Sequence, residues 1–471
     1  MSSDVAVIGL AVMGQNLALN LTDRGYNVAV YNRSEAKTTT FILENSTNSR
    51  LKGFSSLNDL IRDLKTPRKL LLMIKAGSPV DNFIAEVTPL LDVNDIIIDG
   101  GNSHYLDTIR RTSQLHEKSI RFLGTGISGG EEGARHGPSI MVGGDDTAWN
   151  DVKVMLQKIS AKTESKEDCC NWLGHDGAGH FVKMVHNGIE YGDMQLISEA
   201  YSLMRYAFGL DVSKISNIFQ YWNTRKLSSY LIEITGIILS KVDDKTGKPM
   251  VDVIQDVAEQ KGTGRWTAQS GLELGVSIPL ITAAVYQRSL SSDLNSRIAG
   301  SQKFTLPSSD PEEYTELQEK RLENALFVAK LISYSQGFHL LKTASNHYNW
   351  DLNLGDIALL WRAGCIIQSS FLGDIKSIYS QEPNTEHLIF SQGFSKDIET
   401  GISDLRQLIP IALKFGIPIP GLMSAIAYFD SMCSTNLSTS LIQAQRDLFG
   451  AHTFRRNDEQ SGESYHHNWL D

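Results

Sequence analysis

Apolar and polar positions divide the chain into two parts with different patterns. Over roughly the first 175 residues, short apolar runs alternate with stretches of helical periodicity, as where the run at residues 5–9 precedes a helical pattern through Leu17, Leu19 and Leu21. Such alternation predicts an α/β domain with a mostly parallel sheet. The predicted strands lie at residues 5–9, 28–31, 69–74, 95–99 and 121–127, with late edge strands at 139–142 and 171–173.

From about residue 178, helical periodicity dominates and the sequence contains no clear strand runs. The predicted helices lie at residues 180–191, 193–210, 213–221, 228–240, 266–275, 279–298, 313–344, 355–378 and 404–414, and a last helix ends near 452. A chain of 471 residues is long enough for more than one core. We therefore predict an α/β domain over residues 1–177, a large all-α domain over 178–435 and a C-terminal tail over 436–471.

A glycine-containing turn follows the first predicted strand. Gly9, Ala11 and Gly14 form a G-x-A-x-x-G pattern that enters a helix, and the strand at 28–31 follows. This context is typical of the dinucleotide-binding fingerprint, in which the first glycine permits the turn and the small second residue lets the backbone approach a pyrophosphate. The last glycine lets the helix pack closely, and the helix N-terminus attracts the anion. The N-terminal domain is therefore predicted to be Rossmann-like.

The end of the second strand indicates which dinucleotide binds. An NAD site usually has Asp or Glu there for the ribose hydroxyls, but this chain has Asn32, Arg33 and Ser34. An arginine can pair with a 2′-phosphate and stack on adenine. The sequence therefore predicts NADP as the cofactor; the alternative is that Arg33 is an ordinary solvated loop arginine.

Glycines and small polar residues end three further strands, at residues 75–77, 100–103 and 128–130. Because ligands of a doubly wound sheet bind outside the carboxyl ends of its strands, these loops are expected to line a cofactor and substrate crevice. Residues 126–130 also match the G-x-S-x-G elbow of serine hydrolases. Gly133 and the Gly137–Pro138 pair would interrupt the long helix that such an elbow needs, so a serine nucleophile is not expected.

The segment 180–191 carries the candidate chemistry. At about 100° per residue, Lys183, His186, Asn187, Glu190 and Tyr191 share one helix face, and the apolar residues lie mostly on the other side. This face is either a site for one small molecule or a solvated surface with an i,i+7 charge pair. Four glycines in and beside the segment favour a site, since a glycine in a helix costs roughly 1 kcal/mol and close approach by a ligand or another backbone would offset that cost. They are Gly177, Gly179, Gly188 and Gly192.

Composition limits the partner classes. The net charge is −10, the hydrophobic fraction 41% and the charged fraction 21%, which argue for a globular protein and against a nucleic-acid or polybasic membrane binder. Four cysteines form neither a disulfide framework nor a metal-ligand spacing. No signal peptide or membrane span is expected, and we predict a cytoplasmic protein without a metal.

Taken together, several long motifs resemble those of the decarboxylating 6-phosphogluconate dehydrogenase family over essentially the whole chain. They end at Gly14, Asn102, Gly133, Tyr191, Gly264 and Asp447: GLAVMG, IIDGGN, ISGGEEG, GHFVKMVHNGIEY, QKGTG and SLIQAQRD. The resemblance implies an NADP-dependent homodimer whose C-terminal tail reaches the second subunit. It further implies hydride transfer from C3 of 6-phosphogluconate to NADP, loss of CO2 and release of ribulose 5-phosphate.

The resemblance also implies individual roles. Lys183 is the expected base for the C3 hydroxyl, and Glu190 the acid that protonates C1 of the enediol. Expected substrate contacts are Asn102, Ser128, Gly129, Gly130, His186, Asn187, Tyr191, Lys261, Thr263 and Arg288, with Arg446 and His452 reaching across from the second subunit. Expected cofactor contacts are Gly9, Leu10, Ala11, Val12, Met13, Gly14, Asn32, Arg33, Ser34, Ile74, Lys75, Ala76 and Asn102.

One physical requirement follows for the base. A lysine with a pKa of about 10.4 is neutral only about once in a thousand at pH 7.4, so burial or neighbouring cations such as Lys261 and Arg288 must lower the pKa of Lys183. Four residues depart from the family pattern: Lys226 and, in the tail, Arg455, Arg456 and His467. Two alternatives stay open: a β-hydroxyacid dehydrogenase for a short acid without phosphate, and a non-catalytic NADPH-binding protein.

Overall fold

A computed structural model of the chain describes residues 2–459 and 462–470. Within these ranges, one sheet contains eight strands: β1 Val5–Ile8, β2 Val28–Tyr31, β3 Leu51–Phe54, β4 Lys69–Leu72, β5 Ile96–Asp99, β6 Arg121–Ser128, β7 Ser139–Gly144 and β8 Cys170–Gly174. Their order is β3-β2-β1-β4-β5-β6-β7-β8. All neighbours are parallel except β6 and β7, which are antiparallel.

The sheet confirms the predicted α/β class and corrects two details. β3 was not predicted, because LKGF is short and only its first residue is buried. β7 was predicted as an edge strand, but it lies between β6 and β8 and all six of its residues are buried. Apolar side chains on the two faces of the sheet form two separate clusters, which pack against helices from both sides.

The helices in the described ranges include the predicted ones, with shifted limits. They are α1 Val12–Asp23, α2 Glu35–Glu44, α3 Leu57–Asp63, α4 Ser78–Val87, α5 Tyr105–His116, α6 Gly130–His136, α7 Asp146–Ile159, α8 Ala178–Ser202, α9 Val212–Trp222, α10 Tyr230–Leu239, α11 Thr263–Glu273, α12 Pro279–Ser292, α13 Leu294–Lys303, α14 Glu316–Tyr348, α15 Leu354–Leu360, α16 Leu372–Gln381, α17 Ser395–Lys414, α18 Pro420–Met432 and α19 Thr439–Gly450.

In three places the division of the chain into helices differs from the prediction. The segments 180–191 and 193–210 belong to one helix, α8, which continues into a π-helical turn at Leu203–Ala207. The segment 279–298 is two helices, because Asp293 leaves the helical conformation and its side chain accepts a hydrogen bond from the backbone N–H of Ser296, which caps α13. The segment 355–378 is likewise interrupted between α15 and α16.

Helix α8 joins the sheet to the helical part of the chain. A Cβ on Gly179 would lie 2.4 Å from the carbonyl oxygen of Gly124 in β6, so only glycine permits this contact. A Cβ on Gly188 would lie 2.5 Å from Thr267 of α11, and one on Gly192 would lie 2.4 Å from Ser333 of α14. These glycines therefore allow close packing of α8 against other parts of the protein. From the sequence, the alternatives were close approach by a ligand or by another part of the backbone.

The chain divides into two compact units, one up to Ala425 and one from Ile426 onward. Neither limit that we predicted, at 177 or at 435, coincides with this division, and both stay predictions. In the described part of the chain, no helix is long and apolar enough to cross a membrane.

Candidate functional site

A cavity of about 520 Å³ lies at the carboxyl ends of β1, β2 and β4. This is the point where the strand order reverses, which is where doubly wound sheets bind their ligands. Of the expected cofactor residues, those that line the cavity are Gly9, Leu10, Ala11, Asn32, Arg33, Ser34, Ile74 and Lys75. The other five expected cofactor residues do not line the cavity: Val12, Met13, Gly14, Ala76 and Asn102.

The glycine turn has the geometry that a close backbone approach requires. Gly9 has a φ of +100°, and a Cβ there would lie 2.5 Å from the carbonyl oxygen of Met73. A Cβ on Gly14 would lie 1.9 Å from the carbonyl oxygen of Gly9, so this glycine holds α1 against the turn. The backbone N–H of Leu10 donates to Asn32 Oδ1 at 3.1 Å, which ties the turn after β1 to the loop after β2. These residues fit a dinucleotide whose pyrophosphate approaches the N-terminus of α1.

The cations at the end of β2 are exposed at the rim of this cavity. Arg33 lies in the loop before α2 and is exposed, and Lys37, in the first turn of α2, is also exposed and lines the same cavity. The sequence interpretation did not include Lys37, although its position four residues after Arg33 was a usable signal. Two cations at this rim suit a 2′-phosphate.

Lys183 is buried where α8 passes under β6. A Cβ on Gly126 of β6 would lie 2.3 Å from the Cβ of Lys183, so this glycine makes room for the lysine. Lys183 is 6% exposed, and its Nζ lies 3.4 Å from His186 Nδ1. His186 Nδ1 also lies 3.0 Å from Asn187 Oδ1 and 3.8 Å from Glu190 Oε2. The structure thus gathers an amine, an imidazole, an amide and a carboxyl group from one helix face.

Burial sets the ionisation of this group. It lowers the pKa of Lys183 to about 8, while Glu190 and Cys365 act in the opposite direction. Burial also holds the pKa of His186 well below its usual value, so this imidazole is neutral near pH 7. Burial raises the pKa of Glu190, which favours its protonated form. Burial is therefore the main cause of the lowered pKa of Lys183, the role for which the cations Lys261 and Arg288 were the alternative. Near neutral pH a larger fraction of this lysine is neutral than of an exposed lysine.

The loop after β6 lies against the same imidazole. Ser128 Oγ is 3.1 Å from His186 Nε2. Gly129 has a φ of +124°, and a Cβ there would lie 2.7 Å from the carbonyl oxygen of Gly364, so the loop conformation requires glycine. The other nitrogen of His186 faces Lys183 and an amide at hydrogen-bond distance rather than a carboxylate. This differs from a serine hydrolase triad, in which a carboxylate orients the histidine.

The sequence interpretation missed the segment after α15. Trp361 is fully buried, and its ring lies 5.8 Å from that of His186. The backbone N–H of Ser139 donates to the carbonyl oxygen of Gly364 at 2.8 Å, which fastens this segment to β7. A glycine three residues after a tryptophan is a weak signal in a sequence, because it is equally typical of a surface turn.

A second group forms at the N-terminus of α11. The Arg288 guanidinium stacks on the Tyr191 ring at 3.5 Å, and a Cβ on Gly264 would lie 2.5 Å from the same ring. Gly262 caps α11 with a φ of +99°, so Thr263 is the first residue of the helix. Lys261, which precedes the cap, is exposed. The helix was predicted to begin near Trp266; it begins three residues earlier, because glycine permits the left-handed cap at 262.

Asn102 lies in the loop after β5, with its side chain exposed. The buried carboxylate of Asp99 shapes this loop: it accepts hydrogen bonds from Ser103 Oγ at 2.6 Å and from the backbone N–H of Gly101 at 3.1 Å. The Asp99 side chain therefore holds the loop that contains Asn102. From the sequence, Asp99 was predicted only to be the last residue of a strand.

Arg446 and His452 belong to the unit that begins at Ile426. Arg446 lies on α19 and donates to Gln443 Oε1 at 3.0 Å. Between them, the buried Asp447 carboxylate accepts hydrogen bonds from the backbone N–H of Thr453 and from Trp469 Nε1, at 2.9 and 2.8 Å. The tail residues thus fold back onto α19 within this unit.

The described residues contain no group of three or more His, Cys, Asp or Glu side chains that could hold a metal ion.

Two family models match the chain. The NAD binding domain of 6-phosphogluconate dehydrogenase matches residues 4–174, and the C-terminal domain of 6-phosphogluconate dehydrogenase matches residues 179–469. Together they span the sheet with its helices and most of the remaining chain.

Proteins of known identity are similar over almost their full length. The 6-phosphogluconate dehydrogenase, NADP(+)-dependent, decarboxylating, of Bacillus subtilis is 49% identical over 469 residues, which cover 99% of both chains. The decarboxylating enzyme of Aggregatibacter actinomycetemcomitans is 49% identical over 467 residues, 99% of this chain and 96% of the relative. The structure of Plasmodium falciparum 6-phosphogluconate dehydrogenase, described as apo and in complexes with NADP+ and with 6-phosphogluconate, aligns with a TM-score of 0.94 and 43% identity over 99% of this chain and 100% of that one. This chain belongs to the 6-phosphogluconate dehydrogenase family.

Proposed function

We propose that this protein oxidatively decarboxylates 6-phospho-D-gluconate to D-ribulose 5-phosphate and CO2 and reduces NADP to NADPH, as in the pentose phosphate pathway. The observation that carries this proposal is the buried Lys183, whose pKa is lowered to about 8 beside a neutral His186, in a chain of this family. A base with a pKa near the operating pH is the most effective for proton abstraction.

Lys183 is the proposed base of the oxidation. Its neutral amine takes the proton of the C3 hydroxyl while the hydride leaves C3, and NADP is the acceptor of that hydride. The resulting ammonium then returns its proton to the C3 oxygen as the bond between C1 and C2 breaks and CO2 leaves. Its burial supports both steps, because the group gains and loses a proton within one turnover and needs a pKa close to neutral.

Glu190 is the proposed acid of the last step. The electron pair left by CO2 departure forms an enediol. Glu190 donates a proton to its C1 carbon, and the Lys183 amine, neutral again after the decarboxylation, takes the proton of the C2 hydroxyl to leave the ketone of ribulose 5-phosphate. Burial raises the pKa of Glu190, which favours the protonated form that an acid needs, although Lys183 and Arg288 act in the opposite direction. A lysine with a lowered pKa and a carboxyl with a raised pKa on one helix face are what a base and an acid in one site require.

The remaining expected contacts fall into two groups. The first group is proposed to hold the carboxylate and the hydroxyls of the sugar acid: Ser128, Gly129, Gly130, His186, Asn187 and Asn102. Tyr191, Lys261, Thr263 and Arg288 are proposed to bind the phosphate, supported by the N-terminus of α11 and the guanidinium stacked above Tyr191.

We also propose a cytoplasmic homodimer in which Arg446 and His452 complete the phosphate site of the other subunit. Exposed apolar residues on α19 support a docking role for the tail: Leu441, Ile442, Leu448 and Phe449 are 63%, 56%, 52% and 70% exposed. Truncation after Gln443 is expected to abolish phosphogluconate turnover and to leave NADP binding nearly unchanged. A truncated monomer with full activity would contradict the proposal.

The test of the function is an assay of the purified protein with 6-phosphogluconate and NADP, in which NADPH absorbance and released CO2 are measured together. Equal amounts of NADPH and CO2 are expected. Gluconate, which lacks the phosphate, is the matched control and should react far more slowly. NADPH formation without CO2, or equal turnover of gluconate, would instead support a plain β-hydroxyacid dehydrogenase.

A further inference from the structure

Arg111 is a fully buried arginine whose role neither the sequence motifs nor the proposed mechanism explains. It lies on α5 and is 1% exposed. Its Nε donates to Asp81 Oδ1 of α4 at 2.8 Å, and its Nη2 donates to the carbonyl oxygen of Gly77 at 3.0 Å. Its Nη1 lies 3.4 Å from Asp99 Oδ2 and 3.3 Å from Ser103 Oγ.

Apart from Asp81 of α4, these partners lie in or next to two loops at the carboxyl edge of the sheet. Gly77 ends the loop after β4, which contains Lys75, and it caps α4. Asp99 ends β5, and Ser103 follows Asn102 in the loop after this strand. One guanidinium therefore connects two neighbouring loops, and its planar arrangement of donors allows several hydrogen bonds in fixed directions.

The strand order indicates which end of the dinucleotide these loops serve. Arg33 follows β2, on one side of the cavity, whereas Lys183 packs against Gly126 of β6, on the other side. β4 and β5 lie between β1 and β6 in the sheet. The loops after β4 and β5 thus lie towards the reacting end of the cofactor and away from its 2′-phosphate.

We infer that Arg111 is a positioning residue that holds the loops after β4 and β5 in the arrangement required by the nicotinamide half of the cofactor and by the sugar acid. This inference rests on the proposed function. It assigns to Arg111 an effect on the reacting end of the site, through Lys75 and Asn102, and no effect on the adenosine end.

The neighbouring Arg110 provides a matched control. It also donates to Asp81 Oδ1, at 2.9 Å, and to Asp107 Oδ1, at 3.2 Å, but it is exposed and these bonds go to α4 and α5 rather than to the two loops. Arg110→Lys and Arg111→Lys both keep the positive charge beside Asp81. Only the second removes the planar group that reaches Gly77 and Asp99 together.

The experiment compares binding of NADPH with binding of adenosine 2′,5′-bisphosphate, which lacks the nicotinamide half, in the full-length protein and both variants. In Arg111→Lys, NADPH is expected to bind about tenfold more weakly, the factor that corresponds to losing one hydrogen bond to a charged group. Adenosine 2′,5′-bisphosphate should bind within about twofold of the parent, because about twofold is less than 0.5 kcal/mol. Arg110→Lys should leave both affinities unchanged.

Equal loss of both affinities would overturn the inference, because it would indicate damage to the whole cofactor site. So would parent-like NADPH binding in Arg111→Lys. If that variant does not fold, Ser103→Ala serves as the second variant, since it removes a hydroxyl that links Asp99 to Arg111 and leaves no charge unpaired; the same selective loss of NADPH affinity is expected. Turnover is measured separately: a parent protein inactive with 6-phosphogluconate contradicts the proposed function, whereas the binding comparison still decides the inference.

Discussion

Replacement of Lys183 by methionine should inactivate the protein and at the same time stabilise it. The pKa of Lys183 falls from its ordinary value of 10.5 to about 8 in the folded chain. At roughly 1.4 kcal/mol for each tenfold change in proton affinity, the charged lysine costs the fold about 3 kcal/mol. The variant also loses the contact between Lys183 and His186, which is worth about 1 kcal/mol. A net gain in the free energy of unfolding of about 2 kcal/mol is therefore expected near pH 7.

The pH dependence provides the sharper test. The cost of the buried charge is fully present below the folded pKa of about 8, and it disappears as the pH rises towards 10.5, where the unfolded chain also loses the proton. The stability difference between Lys183→Met and the parent should therefore be largest below pH 8 and shrink above it. Lys153, which is exposed on α7, is the control, and Lys153→Met should show neither the gain nor the pH dependence.

Denaturation midpoints between pH 6 and pH 10 would be measured for the parent and both variants, together with NADPH formation at pH 7.4. Loss of a general base typically lowers turnover by about 10²–10⁴-fold. The reasoning would be refuted if Lys183→Met were no more stable than the parent below pH 8, if its gain did not shrink above pH 8, or if it kept full turnover.

Three other predictions test separate parts of the site. Arg33→Ala should weaken NADP binding by roughly 1.5–3 kcal/mol and NAD binding much less; equal losses would show that Arg33 does not read the 2′-phosphate. Glu190→Gln should lower turnover and remove the stereochemical control of deuterium incorporation at C1 of ribulose 5-phosphate in D2O, and unchanged stereospecific labelling would exclude it as the acid. Asp447→Asn should release the tail from α19, because the carboxylate accepts hydrogen bonds from Thr453 and Trp469; faster proteolysis of residues after 453 would be the readout, and parent-like resistance would contradict it.

The N-terminal fold was predictable because the glycine spacing and the apolar runs indicate the same arrangement of strand, turn and helix. Gly9 and Gly14 lie between two apolar runs, and their spacing alone indicates the turn and the close helix contact that the structure contains. β3 escaped prediction because a four-residue strand with mostly unburied positions has no distinct periodicity. Its position depends on pairing with β2 rather than on its own sequence.

The residues that support the site were much less predictable than the base and the acid that we propose. Lys183 and Glu190 stand out in a sequence because their spacing places them on one helix face. Arg111 does not, since an arginine on an amphipathic helix ordinarily faces water. Its burial depends on ion pairs with Asp81 of α4 and Asp99 of β5. These two carboxylates belong to different elements and come together only in the folded chain.

The burial of helix α8 excludes the interpretation of residues 180–191 as a solvated surface. The sequence indicated a polar face and an apolar face, which in most helices separate water from core. In the structure, residues 178–189 are all buried, so the polar face is enclosed too. A fold encloses a lysine only if other contacts offset a cost of about 3 kcal/mol, and the glycine contacts of α8 with the sheet, α11 and α14 are where such close packing occurs. The same packing lowers the pKa of Lys183 and raises that of Glu190. The burial that costs free energy therefore also favours the roles of base and acid that we propose for these two residues.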